Sequence, residues 1–207
     1  MIKKEIRSAV KNALQRYDKT AKYHEKVLDN ACEIVRNIML NEVFRMSPHS
    51  LQRFCKGYGY DVPLAVLTEA SSGIYYTTLP KNIVYFPDRA SGVRRLATAV
   101  QSGTKFFPMD QREWDLAMTG LYVNVVRDKI GYIVTPTRIE YFGMTGTVLG
   151  EGVRADLIIP FSEYADTDVV PYPEHTLEDG SGYIDRIVNY LKDKPKVDLI
   201  DDNKDSE

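Results

Sequence analysis

Asp166, Asp168, Glu174 and His175 fall within the ten residues DTDVVPYPEH. Two carboxylates one residue apart, with an imidazole close behind, are donor types of a metal or acid–base centre. The first two spacings match a calcium loop. Val170 occupies the third ligand position, and the loop's glycine and closing glutamate are missing. The three histidines, His24, His49 and His175, are too far apart in sequence for a local zinc pair. Pro171 and Pro173 oppose helix and favour an extended chain. The segment therefore reads as a connector in which Asp166 and Asp168 bond to nearby backbone, Asp168 being the better candidate. No metal ligands are assigned.

Other chemistries fare no better. FGMTGTVLGEGVR, residues 142–154, is rich in glycine. It lacks the GK[ST] of a phosphate loop, and a strand candidate rather than a helix follows it, so it is not a dinucleotide fingerprint. It reads as a mobile β-loop able to reach a neighbouring molecule through Met144, Val148 and Leu149. There is no GxSxG. His49 and Cys55 are six residues apart on a predicted helix, so their side chains diverge. Among 29 acidic residues, nothing singles out a glycosidase-type pair. No catalytic residue and no cofactor is expected.

The elements that must position any site fall into three groups. Ile2, Ile6, Val10, Leu14 and Tyr17 recur at helical spacing over residues 2–17. After a polar break, residues 22–46 carry a wide apolar stripe that includes Val27, Ile34, Ile38 and Phe44. The two form a long helical hairpin, and the second helix carries more apolar surface than a hairpin needs. Ser47-Pro48 starts a short helix ending near Gly57. From residue 62 the pattern becomes β-branched and aromatic. LAVLTEA, GIYYTTL, NIVYF, GVRRLATAV, residues 105–109, LYVNVVRD, GYIVTP, RIEYFG and VRADLIIPF are strand candidates. Asp128–Gly131 and Thr135–Thr137 read as turns between them. DQREWDLAM is a short helix with Asp110 as cap and Glu113 completing a capping box. Residues 182–193 form a closing helix, and the charged residues 194–207 read as disordered. The fold class is α+β: helical hairpin, central antiparallel sheet or small sandwich, C-terminal helix. The expected divisions are 1–60, 61–195 and an acidic tail at 196–207.

The net charge of −2 conceals a gradient: residues 1–60 hold 12 basic and 6 acidic side chains, residues 156–207 hold 5 and 14. A basic head and an acidic tail can attract further copies. The sequence pI of about 6.0 is low for sequence-specific DNA recognition, yet compatible with surrounding DNA without gripping it. No run reaches the roughly 18–20 apolar residues of a membrane span. The N-terminus lacks a signal peptide's apolar core, and Cys32 and Cys55 form no CxxC. A cytoplasmic site of synthesis is expected.

One ordered arrangement remains. TTLPKNIVYFPD is followed by GVRR, FFPMDQREWD, YVNVVRDKIGYIVTPT, RADLIIPFSEYADTDVVPYPE and YIDRIVNYL. Leu79-Pro80, Ile83, Phe107-Pro108, Trp114, Ile133, Pro136, Asp168, Val170, Pro171 and Pro173 carry the pattern. It resembles the head–tail connector, or tail-adaptor, proteins of tailed bacteriophages, most closely the neck ring proteins of short-tailed, crAss-like phages. The resemblance spans about residues 1–195. It implies a virion structural protein without catalytic residues. Such subunits form a ring, commonly twelvefold, between the portal and other neck or tail rings, around the DNA channel. On that expectation Val27, Ile34, Ile38, Phe44, Met144, Val148 and Leu149 are the candidate contact residues. Two other readings are a small enzyme with a dispersed acidic site, and a cytoplasmic interaction module bound through the hairpin.

Overall fold

A computed structural model describes residues 1–17, 23–87, 90–100, 104–119, 129–143, 150–175 and 182–193. The fold is α+β, with N-terminal helices, antiparallel and mixed sheets and a C-terminal helix. The chain divides into two compact units, Met1–Phe54 with Pro160–Glu207, and Cys55–Ile159.

In the first unit, α1 (Lys3–Gln15) and α2 (Glu25–Met46) follow the two apolar stripes. The four-residue spacing of Ile6, Val10 and Leu14 stacks them on one face, and all three are buried. Leu28, Ala31, Cys32, Val35, Met39 and Leu40 form the buried face of α2. Ion pairs fix the helix direction: Lys3 and Arg7 reach Asp29, and Lys11 reaches Glu25. Positions rising along α1 meet positions falling along α2, so the helices are antiparallel. His24 caps α2, its Nδ1 accepting from the Lys26 amide at 3.3 Å. The residues after Ser47 form a 3-10 helix, Pro48–Phe54, with Leu51 fully buried. Helix α4 (Tyr183–Asp193) buries Tyr183, Ile187, Val188 and Leu191. It belongs with the N-terminal helices and not with the strands. Residues 160–193 thus leave the expected 61–195 division, and the first break falls at Phe54.

Among the described residues, the second unit holds two sheets. In the three-stranded one, β8 (Val153–Leu157) lies between β1 (Lys56–Tyr58) and β4 (Val93–Thr98). Being central, it buries Val153, Ala155 and Leu157 together. The other sheet has the order β2 (Leu67–Thr68), β3 (Tyr75–Thr78), β7 (Arg138–Phe142), β6 (Lys129–Val134), β5 (Lys105–Pro108). β6 and β7 form a hairpin at Thr135–Thr137, where the Thr135 amide bonds to the Arg138 carbonyl at 2.9 Å. β5 and β6 are parallel. A parallel neighbour needs a long crossover, and the stretch joining these two includes α3 (Gln111–Met118). Its capping box is formed as expected: Glu113 N donates to Asp110 Oδ1 at 2.7 Å, and Asp110 N to Glu113 Oε2 at 2.9 Å.

Three local expectations change. Within NIVYF, Ile83, Val84 and Phe86 are buried, but the segment joins no sheet ladder among the described residues. Tyr85 makes an isolated bridge to Ser91, and the Val84 amide bonds to the Ile158 carbonyl at 2.8 Å. Lys129–Gly131 is the start of β6, not a turn. A Cβ on Gly131 would stand 2.2 Å from Met109 Sδ; the glycine makes room for packing instead of bending the chain. LYVNVVRD, the acidic tail and residues 144–149 of the 142–154 loop lie outside the described residues.

No helix among the described residues is long and apolar enough to cross a membrane.

Candidate interaction site

DTDVVPYPEH is a strap across the start of α1. A helix leaves its first four N–H groups without intrahelical partners. Here the strap's backbone takes two of them: Lys3 N donates to the Asp168 carbonyl at 3.0 Å and Lys4 N to the Asp166 carbonyl at 3.1 Å. Glu5 Oε2 accepts from Ile2 N at 3.0 Å, while Val170 N returns a bond to the Met1 carbonyl at 3.1 Å. Asp168 makes the expected local contact, accepting from Ala165 N at 3.0 Å. Asp166 differs from expectation: its carboxylate reaches Arg7 Nη1 at 2.9 Å. Glu174 contributes its carbonyl to Tyr183 N at 3.2 Å, and His175 bridges Gly182 through backbone. Among the described residues, no group of three or more histidine, cysteine or acidic side chains is arranged to hold a metal.

Beneath the strap lie cations that helical periodicity does not single out. Lys3 is buried, with its ammonium 3.0 Å from the Tyr164 carbonyl, 3.5 Å from Asp29 and over the Phe161 ring. Arg36, on the buried side of α2, has no exposed surface. Its Nε donates to the Pro171 carbonyl at 2.9 Å, and its guanidinium faces the Tyr164 ring. The carbonyl and the ring face offset part of the cost of burying this charge. The available signal was an arginine flanked by Cys32, Val35, Met39 and Leu40 in an apolar helix. Asp29 raises the pKa of Arg7 above its ordinary value, chiefly through a paired hydrogen bond and against the cost of burial. These residues build the first unit's framework rather than a reactive centre.

Helix α2 also carries apolar side chains beside its buried face. At 100° per residue, Val27, Ile34, Ile38 and Arg45 fall within about 40° of one another. This line borders the buried face. Ile38 is 46% exposed, Val27 and Ile34 are half-buried, and Arg45 is exposed. Phe44 is also half-buried, but it lies about 100° or more from Ile38 around the axis and does not join the line. Met144, Val148 and Leu149 lie outside the described residues. Structure therefore groups three of the seven candidate contacts and adds Arg45. An exposed cation in a helix's last turn also complements the local dipole.

No protein-family model matches this chain, and no curated protein or solved structure matches it either.

Proposed function

We propose that this chain is a virion structural protein of a tailed bacteriophage, forming an oligomeric ring in the neck that connects the portal to the tail around the DNA channel. The observation that carries this reading is the apolar line Val27–Ile34–Ile38, which widens the apolar side of α2 beyond its buried face. A helix whose apolar stripe runs past its buried face has surface to offer a second partner. The ordered motif series from Leu79-Pro80 to Pro173 supplies the family context.

A ring closes through a heterologous contact, so each subunit needs two different complementary faces. The opposite charges of the chain ends offer one such complementarity, part of which is met within the first unit, where Arg7 pairs with Asp166 at 2.9 Å. The apolar line is one face. Twelvefold symmetry, contact with the portal and neighbouring tail rings, and non-specific proximity to DNA are parts of the same proposal. The protein acts by shape, and no cofactor enters.

The test is direct. Purified protein is weighed by native mass spectrometry, alone and with assembled portal, and phage particles are imaged with an antibody to the chain. Closed rings and label at the neck are expected. A chain that stays monomeric in both preparations and is missing from particles overturns the proposal.

A further inference from the structure

The second unit contains a cavity of about 530 Å³ at the N-terminal end of α3. Tyr85, Tyr132, Met109, Asp110, Gln111 and Glu113 are among its lining residues, which include two carboxylates and no lysine or arginine. Burial raises the phenol pKa values of Tyr132 and Tyr85, with Arg94 opposing the shift at Tyr132. Both rings are therefore neutral near pH 7, and the cavity's negative charge comes from Asp110 and Glu113. Each carboxylate commits one oxygen to the capping box; Asp110 Oδ2 has no part in it. Aromatic faces beside carboxylates favour a cation, and a planar guanidinium suits both.

We propose that this cavity receives Arg45 from a second copy of the chain, carried in by the Val27–Ile34–Ile38 line. The inference rests on the ring reading and supplies its second face. Charge complementarity selects the occupant. Arg45 is exposed, makes no ion pair among the described residues, and is followed by Met46, which is 65% exposed. It projects along the same side of α2 as Ile38, so one approach buries the apolar line and delivers the guanidinium. The contact joins unlike surfaces, as a closing ring requires.

Two experiments decide it. First, D110N/E113Q removes both charges while keeping an oxygen on each amide that the capping box serves. Sedimentation is expected to show self-association weakened about tenfold, with R45Q giving a similar loss, as for a close charge pair. Circular dichroism should report an unchanged fold. Second, R45C and Q111C are made separately in a C55S background and mixed under mild oxidation; Cys32 is buried. A disulfide dimer forming in the mixture, and in neither protein alone, can only join two copies, and is the expected result. No cross-link, together with wild-type association of D110N/E113Q, overturns this contact while leaving a ring observed by microscopy intact. A cross-link from Q111C to the portal or another neck protein overturns the second-copy occupant. Absence of any assembly, alone or on the portal, overturns both this inference and the ring reading.

Discussion

Arg7 grips Asp29 through two parallel hydrogen bonds, Nε to Oδ1 at 2.5 Å and Nη2 to Oδ2 at 2.6 Å. The pair links α1 to α2, and Asp166 adds the strap to the same guanidinium. Sequence distance is bridged three ways by one side chain. Two-pronged geometry sets direction as well as distance, so this contact helps determine how the helices and the strap align.

Removing Asp29 leaves two cations, Lys3 and Arg7, with less compensation in a mostly buried setting. D29A is expected to destabilise the first unit by about 3 kcal/mol, the cost typical of breaking one side of a buried pair. Urea unfolding followed by circular dichroism measures it. D166A, at the exposed end of the network, is expected to cost under about 1 kcal/mol. Equal losses for the two variants would contradict this ordering.

Cys32 gives a pH signature. Burial, aided by the Asp29 charge, pushes its thiol up to about 12. A raised folded value makes the stability contribution complete below the unfolded thiol's range and progressively lost as pH rises from there toward the folded value. Stability should therefore fall from about pH 9 upward, and C32A should flatten that fall between pH 9 and 10, before most tyrosines of the unfolded chain ionise. Alkylation at pH 8 should label Cys55 first, because burial holds the Cys32 thiol protonated in the folded protein. Labelling of Cys32 at the rate of Cys55 under native conditions would count against the packing around α2.

Glu69 titrates below an ordinary glutamate, first because Ser72 donates to it and then because Arg138 does. A carboxylate with a lowered folded pKa contributes stability above its unfolded value and loses it as pH falls through the folded one. NMR titration of Glu69 should place its midpoint below the model-peptide value. S72A and R138Q should each move the midpoint upward. A midpoint unmoved by S72A would show that charge, not the hydroxyl, holds the carboxylate.

Gly92 has no space for a side chain. A Cβ there would lie 2.7 Å from both the Ile158 and Val84 carbonyl oxygens, and the Gly92 carbonyl is held by the Ile158 amide at 2.8 Å. Backbone atoms pinned in this way cannot yield as a flexible side chain would. G92A is expected to destabilise the second unit by about 2 kcal/mol or more, within the range for overpacking, measured by thermal unfolding.

Ile38 separates folding from association. At 46% exposure its replacement costs the monomer little, within about 0.5 kcal/mol. I38D should leave the unfolding midpoint in place and abolish self-association seen by sedimentation. Intact assembly of I38D would remove the apolar line from the proposed interface.

The sequence by itself determined what short-range physics controls. Apolar residues at spacings of three and four set the helices containing Ile6–Leu14, Leu28–Leu40 and Ile187–Leu191, and Asp110 with Glu113 set the start of α3. Alternation and turn residues placed β6 and β7 around Thr135–Thr137. These signals survive because each element's preference agrees with its environment. Tertiary structure alone decided the long-range relationships. NIVYF has strand-forming residues, yet among the described residues its one bridge is at Tyr85, since propensity describes a side chain's fit to a sheet and not the presence of a neighbouring strand. Gly131 reads as a turn residue until Met109 packs over it. Arg36 is not singled out by helical spacing, and only the fold brings the Pro171 carbonyl and Tyr164 ring to it. DTDVVPYPEH shows the division most clearly: its prolines dictated an extended connector, but only the fold could bring the Asp166 and Asp168 carbonyls to the first amides of α1. Hydrogen bonds between residues more than 160 positions apart leave no periodic trace in the chain, because their partners become neighbours only after the core has closed.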